Sequence, residues 1–213
     1  MSEELNKATE GLSLDAPAVA NADTTILSDK EFTVKHPLNS EWTLWYTKPP
    51  SDPKESWADL LKPVINFSSV EEFWGIFNSI PQASDLPLKA DYHLFRNGIR
   101  PEWEDSANAE GGKWSFQFKN KKDTNINELW LRTLLSVIGE TIEDDENEVN
   151  GAVLNVRKFA FRVALWTKST DKSKLFSIGL KFRKVLRLPD SEQIEFVGHK
   201  DSENKNSKPL MSI

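Results

Sequence analysis

The sequence predicts an α+β fold, a mainly antiparallel sheet carrying helices on one face, and three observations predict it. Short alternating stretches rich in aromatic and β-branched residues take turns with helical patterns, the connections between most strands are short enough for antiparallel pairing, and no internal repeat or Gly-Ser linker divides the chain. The strands expected in order are Glu41–Lys48, Asp91–Arg96, Lys113–Lys119, Gly151–Lys158 and Phe161–Lys168, each bounded by turn-forming residues. Helices are expected over Val70–Ile80, Ile126–Gly139 and about Lys172–Leu186. Ser69 with Glu72 opens the first as a capping box, and Asn125 with Glu128 opens the second.

Composition narrows the class further. With 213 residues and a mean hydropathy of -0.53, the chain holds one full core plus tails. Residues 1–31 carry seven acids against two lysines with no aromatic residue, so a disordered acidic tail is expected there, followed by a domain over 32–213 with a flexible end from about 198. No run of about 18 apolar residues reads as a membrane span, and the start lacks the order of a signal peptide, so no membrane association is expected. The absence of cysteine excludes disulfides, thiol catalysis and Cys-ligated metals. A net charge of -6 excludes a protein that grips nucleic acid along many phosphates, while a nearly neutral body suits one local site.

Both of the first two helices are apolar over more than one face. Val70 and Trp74 lie at the edge of a wide arc with Phe73, Ile76, Phe77 and Ile80, and Leu131 and Leu135 extend the stripe of Leu129, Trp130, Leu134, Val137 and Ile138 toward solvent. Such a strip is either deeply buried or a protein-docking surface.

The sequence holds no nucleophile, base or metal constellation. His36, His93 and His199 have no partner at metal spacing, G-x-S-x-G and P-loop motifs are absent, and the acidic run Glu143, Asp144, Asp145, Glu146, Glu148 lacks the spacing of a calcium loop and reads as a solvated turn. Tryptophan is the unusual residue: eight indoles accompany only two tyrosines. Trp42, Trp45, Trp74, Trp114 and Trp130 sit in periodic segments that can bury them, whereas Trp57, after Pro49-Pro50-Ser51-Asp52-Pro53, and Trp103, between Pro101 and Glu104-Asp105, stand on loops. Each loop indole either anchors its loop or stacks on a ligand. With a hairpin turn centred on Phe159 and Ala160, Arg157 pairs with Arg162 and Trp166 shares their face. Opposed guanidinium groups repel, so the pairing makes sense either around an anion or splayed into water.

Read together, His36-Pro37-Leu38, Trp42-Thr43-Leu44-Trp45-Tyr46, Glu71-Glu72-Phe73-Trp74, Pro101-Glu102-Trp103-Glu104-Asp105, Gly111-Gly112-Lys113-Trp114 and Leu129-Trp130-Leu131-Arg132-Thr133-Leu134-Leu135 resemble the eukaryotic translation initiation factor 4E family from about His36 to Val197, with all eight tryptophans in the family's places. The resemblance implies a single curved antiparallel sheet with three helices on its convex face, no catalysis, no cofactor and no metal. It implies binding of the 7-methylguanosine 5'-triphosphate cap of mRNA on the concave side. Trp57 and Trp103 would be the stacking walls, Glu104 the guanine reader and Trp166 the contact to the methyl group. Arg157 and Arg162 would hold the phosphates, with Lys113 and Asn155 nearby.

On the convex side the resemblance assigns His36, Pro37, Val70, Trp74, Leu131 and Leu135 to docking of the scaffold initiation factor 4G and of 4E-binding repressor proteins. It implies a monomer that is cytoplasmic with access to the nucleus. Three departures stand out: Lys113 where animal members carry Arg, Phe159 where a basic residue is frequent, and Arg132 where animal members are acidic. The rival readings are a cap-binding paralogue that represses translation, a nucleotide-hydrolysing enzyme, and a carbohydrate-binding module with tryptophan platforms.

Overall fold

A computed structural model describes residues 34–52, 54–144, 147–201 and 208–213. The acidic tail expected over residues 1–31 lies outside the described residues, as do Asp145 and Glu146. Within the unit His36–Ile213 the chain forms one curved antiparallel sheet. Its strands are β1 (Pro37–Thr47), β2 (Leu61–Ser69), β3 (Asp91–Arg96), β4 (Gly112–Phe118), β5 (Val149–Val156), β6 (Phe161–Thr167), β7 (Glu195–Gly198) and β8 (Met211–Ser212). They lie in the order β2-β1-β3-β5-β6-β4-β7-β8.

All five expected strands are present within two residues at each end, except that β1 begins four residues earlier than expected. Three further strands escape the periodicity. In β2, five consecutive residues from Lys62 to Asn66 are exposed, so alternation is lost, and Pro63 is tolerated because β2 is an edge strand. β7 and β8 are four and two residues long. β8 lies within the end expected to be flexible from residue 198: Glu195 and Phe196 pair with Ser212 and Met211, and Ile194 and Ile213 exchange backbone hydrogen bonds at 2.9 and 3.1 Å. Buried Phe196 and Ile194 supply the reason for the end to return.

The three long helices are α2 (Val70–Ser79), α3 (Ile126–Ile138) and α4 (Lys172–Val185). A single turn, α1 (Trp57–Leu60), and a 3-10 turn at Ala83–Asp85 complete the set. Ser69 Oγ accepts from Glu72 N at 3.3 Å, but the Glu72 carboxylate returns to Ser68 N at 2.9 Å, so the box closes one residue early. Asn125 caps α3 through Glu128 N at 3.3 Å. α2, α3 and α4 cover the convex face, where Trp42, Leu94, Trp114, Leu154, Leu165 and Phe196 meet Phe73, Trp130, Leu134, Leu175 and Phe182 in the main core. The opposite face is left open to a smaller cluster of Trp45, Leu61, Phe95, Val153, Ala164 and Trp166. Among the described residues no helix is long and apolar enough to cross a membrane.

The acidic turn is not uniformly solvated. Glu143 and Glu148 are buried, and Glu143 meets buried Arg96 at 2.5 Å while Glu140 meets it at 2.7 Å. Arg96 also donates to Ser40 Oγ at 2.6 Å and to the Val149 carbonyl at 2.8 Å. This network ties the start of β1 to the end of α3, which sets the distance between the two elements that carry Pro37 and Leu135.

Candidate functional site

The open face is laid out in rungs. Strand pairing aligns Thr47, Asp91, Asn155, Arg162 and Gln117 on one rung, Trp45, His93, Val153, Ala164 and Ser115 on the next, and Thr43, Phe95, Gly151, Trp166 and Lys113 on a third. The last rung carries the aromatic pair Phe95 and Trp166 with Lys113 at its β4 end, and the first is polar throughout, with Arg162 upon it. Trp166 is fixed edge-on to Phe95, with ring centroids 5.4 Å apart, and lies 4.1 Å from the His199 ring, while Lys113 Nζ stands 5.9 Å from its centroid.

The hairpin differs by one step from its expected register. Asn155, not Arg157, pairs with Arg162, and Arg157 N donates to the Ala160 carbonyl at 3.0 Å, so the turn is Lys158-Phe159. This register sets buried Val156 opposite buried Phe161, an apolar pairing that a turn at Phe159-Ala160 would break. Arg157 keeps the same face as Arg162 but sits diagonally beyond it. Its charge is met by Asp91, Nη1 to Oδ1 at 2.6 Å and Nη2 to Oδ2 at 3.2 Å. Asp91 is buried and Arg157 half-exposed, so the pair holds the guanidinium at the rim of the face. Lys113 and Arg162 repel: burial first, then the Arg162 charge, lowers the Lys113 amine below its ordinary value.

Two connections reach over the face. The segment before α1 is held by Glu55, which accepts from Lys48 Nζ at 2.5 Å and from Ser51 N at 2.7 Å, and a box between Ser56 and Asp59 caps α1, so Trp57 opens a helical turn and is not on a free loop. The Trp57 ring stands at 81° to His93 with centroids 6.4 Å apart, 44% exposed. The second connection, between β3 and β4, uses its own polar groups internally. Asp105 accepts from Arg100 N and Ala107 N, both at 2.9 Å, Glu102 accepts from the Arg100 side chain at 2.7 and 2.9 Å, and fully buried Asn108 donates to the Arg100 and Glu102 carbonyls at 2.8 Å. Trp103, 39% exposed, and Glu104 are left outward, while Ile99 packs on the open-face cluster. Gly111-Gly112 end this connection through close approach: a Cβ on Gly112 would meet the Phe196 ring and the Val197 carbonyl at 2.5 Å.

Sequence reasoning gave His93 and His199 no metal or catalytic role and did not place them beneath the open face. Each is 3% exposed, His93 bonded through Nε2 to Thr47 Oγ1 at 2.8 Å. Burial pushes both imidazoles down to about 4, for His93 against the Asp91 charge and with that of Arg157, and for His199 with help from Lys113. They are neutral props beneath Trp57 and Trp166. The open cavity of about 1050 Å³ along β4 reaches Lys113 and Arg162 but none of Trp57, Trp103, Glu104 or Trp166.

On the other face, Val70, Trp74 and Leu135 are 38%, 37% and 39% exposed, with Leu131 half-buried between the helices. His36 and Pro37 border them: the His36 carbonyl accepts from Val70 N at 2.9 Å, and the His36 ring meets the Glu71 carboxylate at 2.5 Å, which holds that carboxyl at about 2. Arg132 is turned away to the Val185 carbonyl at 2.9 Å.

An aromatic, partly buried floor beside cationic side chains makes the open face a ligand-binding surface. The sequence model of the family described as Eukaryotic initiation factor 4E matches residues 37–212, and the chain belongs to this family. It is 61% identical to the eukaryotic translation initiation factor 4E of Candida albicans over the full length of both chains, and 56% identical to that of Saccharomyces cerevisiae over 89% of each. Among solved structures it is similar to Ascaris suum eIF4E-3 in complex with an m2,2,7G cap, with a TM-score of 0.78 and 38% identity over 84% of this chain and 99% of that one. It is likewise similar to C. elegans eIF4E-3 in complex with the 4E-binding protein Mextli and a cap analog, with a TM-score of 0.77 and 36% identity over 84% of this chain and 100% of that one.

Proposed function

We propose that this chain binds the 7-methylguanosine cap of mRNA on its open face and a scaffold initiation factor or a 4E-binding repressor on its helical face, so recruiting mRNA for translation without catalysing a reaction. It works in the cytoplasm. The observation that carries the reading is the sorting of the indoles: five of the eight are buried, and the three exposed ones are Trp57, Trp103 and Trp74. Buried indoles explain a core; exposed ones need a partner.

In the cap site Trp57 and Trp103 are the stacking walls. A guanine methylated at N7 is cationic, so each indole face adds cation–π attraction to stacking of about 1–3 kcal/mol per aromatic partner. The Glu104 carboxylate accepts from the guanine N1 and N2 donors, a paired, charge-assisted arrangement that adenine cannot supply. Trp166, held between Phe95 and His199, meets the methyl group. The phosphates lie over Arg162, Lys113, Asn155 and Arg157; an anion there relieves the repulsion between Lys113 and Arg162. The scaffold surface is His36, Pro37, Val70, Trp74, Leu131 and Leu135, an apolar strip suited to the face of an amphipathic helix.

The test is quenching of tryptophan fluorescence by a methylated cap dinucleotide, with the unmethylated analogue and Glu104→Ala in parallel. Saturable quenching that needs both the methyl group and Glu104 is expected. Equal, weak quenching by the two nucleotides would return Trp57 and Trp103 to loop anchors.

A further inference from the structure

The cap site leaves unexplained Phe159, the most exposed large apolar side chain among the described residues, 74% exposed at the tip of the β5–β6 hairpin. An aromatic ring of that size in water contributes nothing to the core, and the two-residue turn does not require it. Its surroundings are cationic. Lys158 Nζ stands 5.0 Å from the Phe159 centroid, Arg157 precedes it, and Lys121 reaches across from the connection after β4 to donate to the Arg157 carbonyl at 3.1 Å, its ammonium 4.3 Å from the Phe161 centroid. Asp91, which meets Arg157, is buried and committed to that pair.

The tip also lies in line with the site. Along β6, Trp166 and Arg162 share the open face four residues apart, about 13 Å at the rise of a strand. A ligand whose base meets Trp166 and whose phosphates meet Arg162 therefore points its far end at the turn. An exposed aromatic ring among lysines and arginines is the arrangement that holds single-stranded nucleic acid, the ring stacking a base and the cations tracking the backbone. We propose that Phe159 is a stacking platform for the base of a nucleotide following the cap, with Lys158 beside the backbone that leads to it. The platform rests on the cap reading above and extends it from a mononucleotide site to one that grips the start of the RNA chain.

The test compares two ligands on the full chain: 7-methylguanosine triphosphate, which ends at the phosphates, and a capped RNA tetramer that begins with adenosine. Phe159→Ala is expected to weaken the tetramer about fivefold or more while the triphosphate stays within about twofold. Phe159→Trp restores or tightens tetramer binding. With 2-aminopurine as the first nucleotide, quenching of its emission on binding is expected in the wild type and lost in Phe159→Ala. Unchanged tetramer affinity in Phe159→Ala overturns the platform and leaves the ring to another partner, such as a protein. An equal loss for both ligands also overturns it, since the hairpin would then act on the phosphates alone. Failure of the wild type to bind either ligand would overturn the cap reading itself, a result distinct from both.

Discussion

The two faces of the sheet solve opposite problems. The open face presents polar and titratable groups in strand rungs, and its indoles at Trp45 and Trp166 are buried props, while the exposed ones, Trp57 and Trp103, stand on connections fastened by Glu55 and Asn108. The helical face has its recognition groups on rigid elements, with Val70 and Trp74 on α2 and Leu131 and Leu135 on α3, exposed because the core beneath is already filled by Phe73, Trp130 and Leu134. A small charged ligand needs a floor fixed in advance and walls that can admit it. A helix needs only an apolar strip that does not move.

If the faces work independently, single changes separate them. The largest expected effect is that of Glu104→Ala, which removes a paired charged acceptor: cap affinity should fall about 100-fold, near 3 kcal/mol, read by fluorescence titration, with binding of a helical 4E-binding peptide unchanged. Next is Trp74→Ala, expected to weaken that peptide by about 2 kcal/mol, roughly 30-fold by calorimetry, with cap affinity unchanged. A loss of both activities in Trp74→Ala would make Trp74 part of the core, although its 37% exposure and its edge contacts to Phe73 and Phe77 place it at the border of that core.

How far these faces were legible in the sequence follows from what each is made of. The convex strip could be read from helix angles because a fixed 3.6-residue period turns sequence spacing into direction, and the exposure of Val70, Trp74 and Leu135 agrees with it. Strands rich in aromatic and β-branched residues between turn formers, such as Phe161–Thr167, were equally plain. β2 was not, since five consecutive residues of it face solvent and a proline sits among them. The role of each cap-site residue came from family resemblance; spacing alone left Trp57 and Trp103 as loop indoles of either kind. The contacts of His93 and Asp91 left no signal because they depend on pairing between distant strands. The misplaced turn at Phe159-Ala160 shows the same limit, as one residue of loop decides which partner Arg157 meets.

Acid should also distinguish the faces. His93 and His199 lie beneath the open face, and both fall to about 4 from an ordinary 6.5. The folded state binds their protons less readily than the unfolded chain does, so the stability they contribute is complete above about pH 6.5 and is lost as pH falls toward 4. Between pH 7 and 5.5 each should remove about 1 kcal/mol from the unfolding free energy, measured by denaturant titration. His93→Asn should flatten its share of that slope. A slope unchanged in this variant would mean that His93 is protonated at little cost and is not a neutral prop.

The smallest effect probes the cationic rim itself. Lys113 stands half-buried near Trp166 with its amine lowered by burial and by Arg162, and it offers the phosphates a point charge without a fork. Lys113→Arg supplies a group that stays charged and presents a fork matched to phosphate oxygens. If Lys113 faces the phosphates, the variant should bind 7-methylguanosine triphosphate about threefold tighter and leave 7-methylguanosine itself unaffected. If its main work is to pack on Trp166, the larger fork will disturb that ring, and both ligands will weaken together. The ratio of the two affinities therefore assigns Lys113 to the rim or to the floor of the open face.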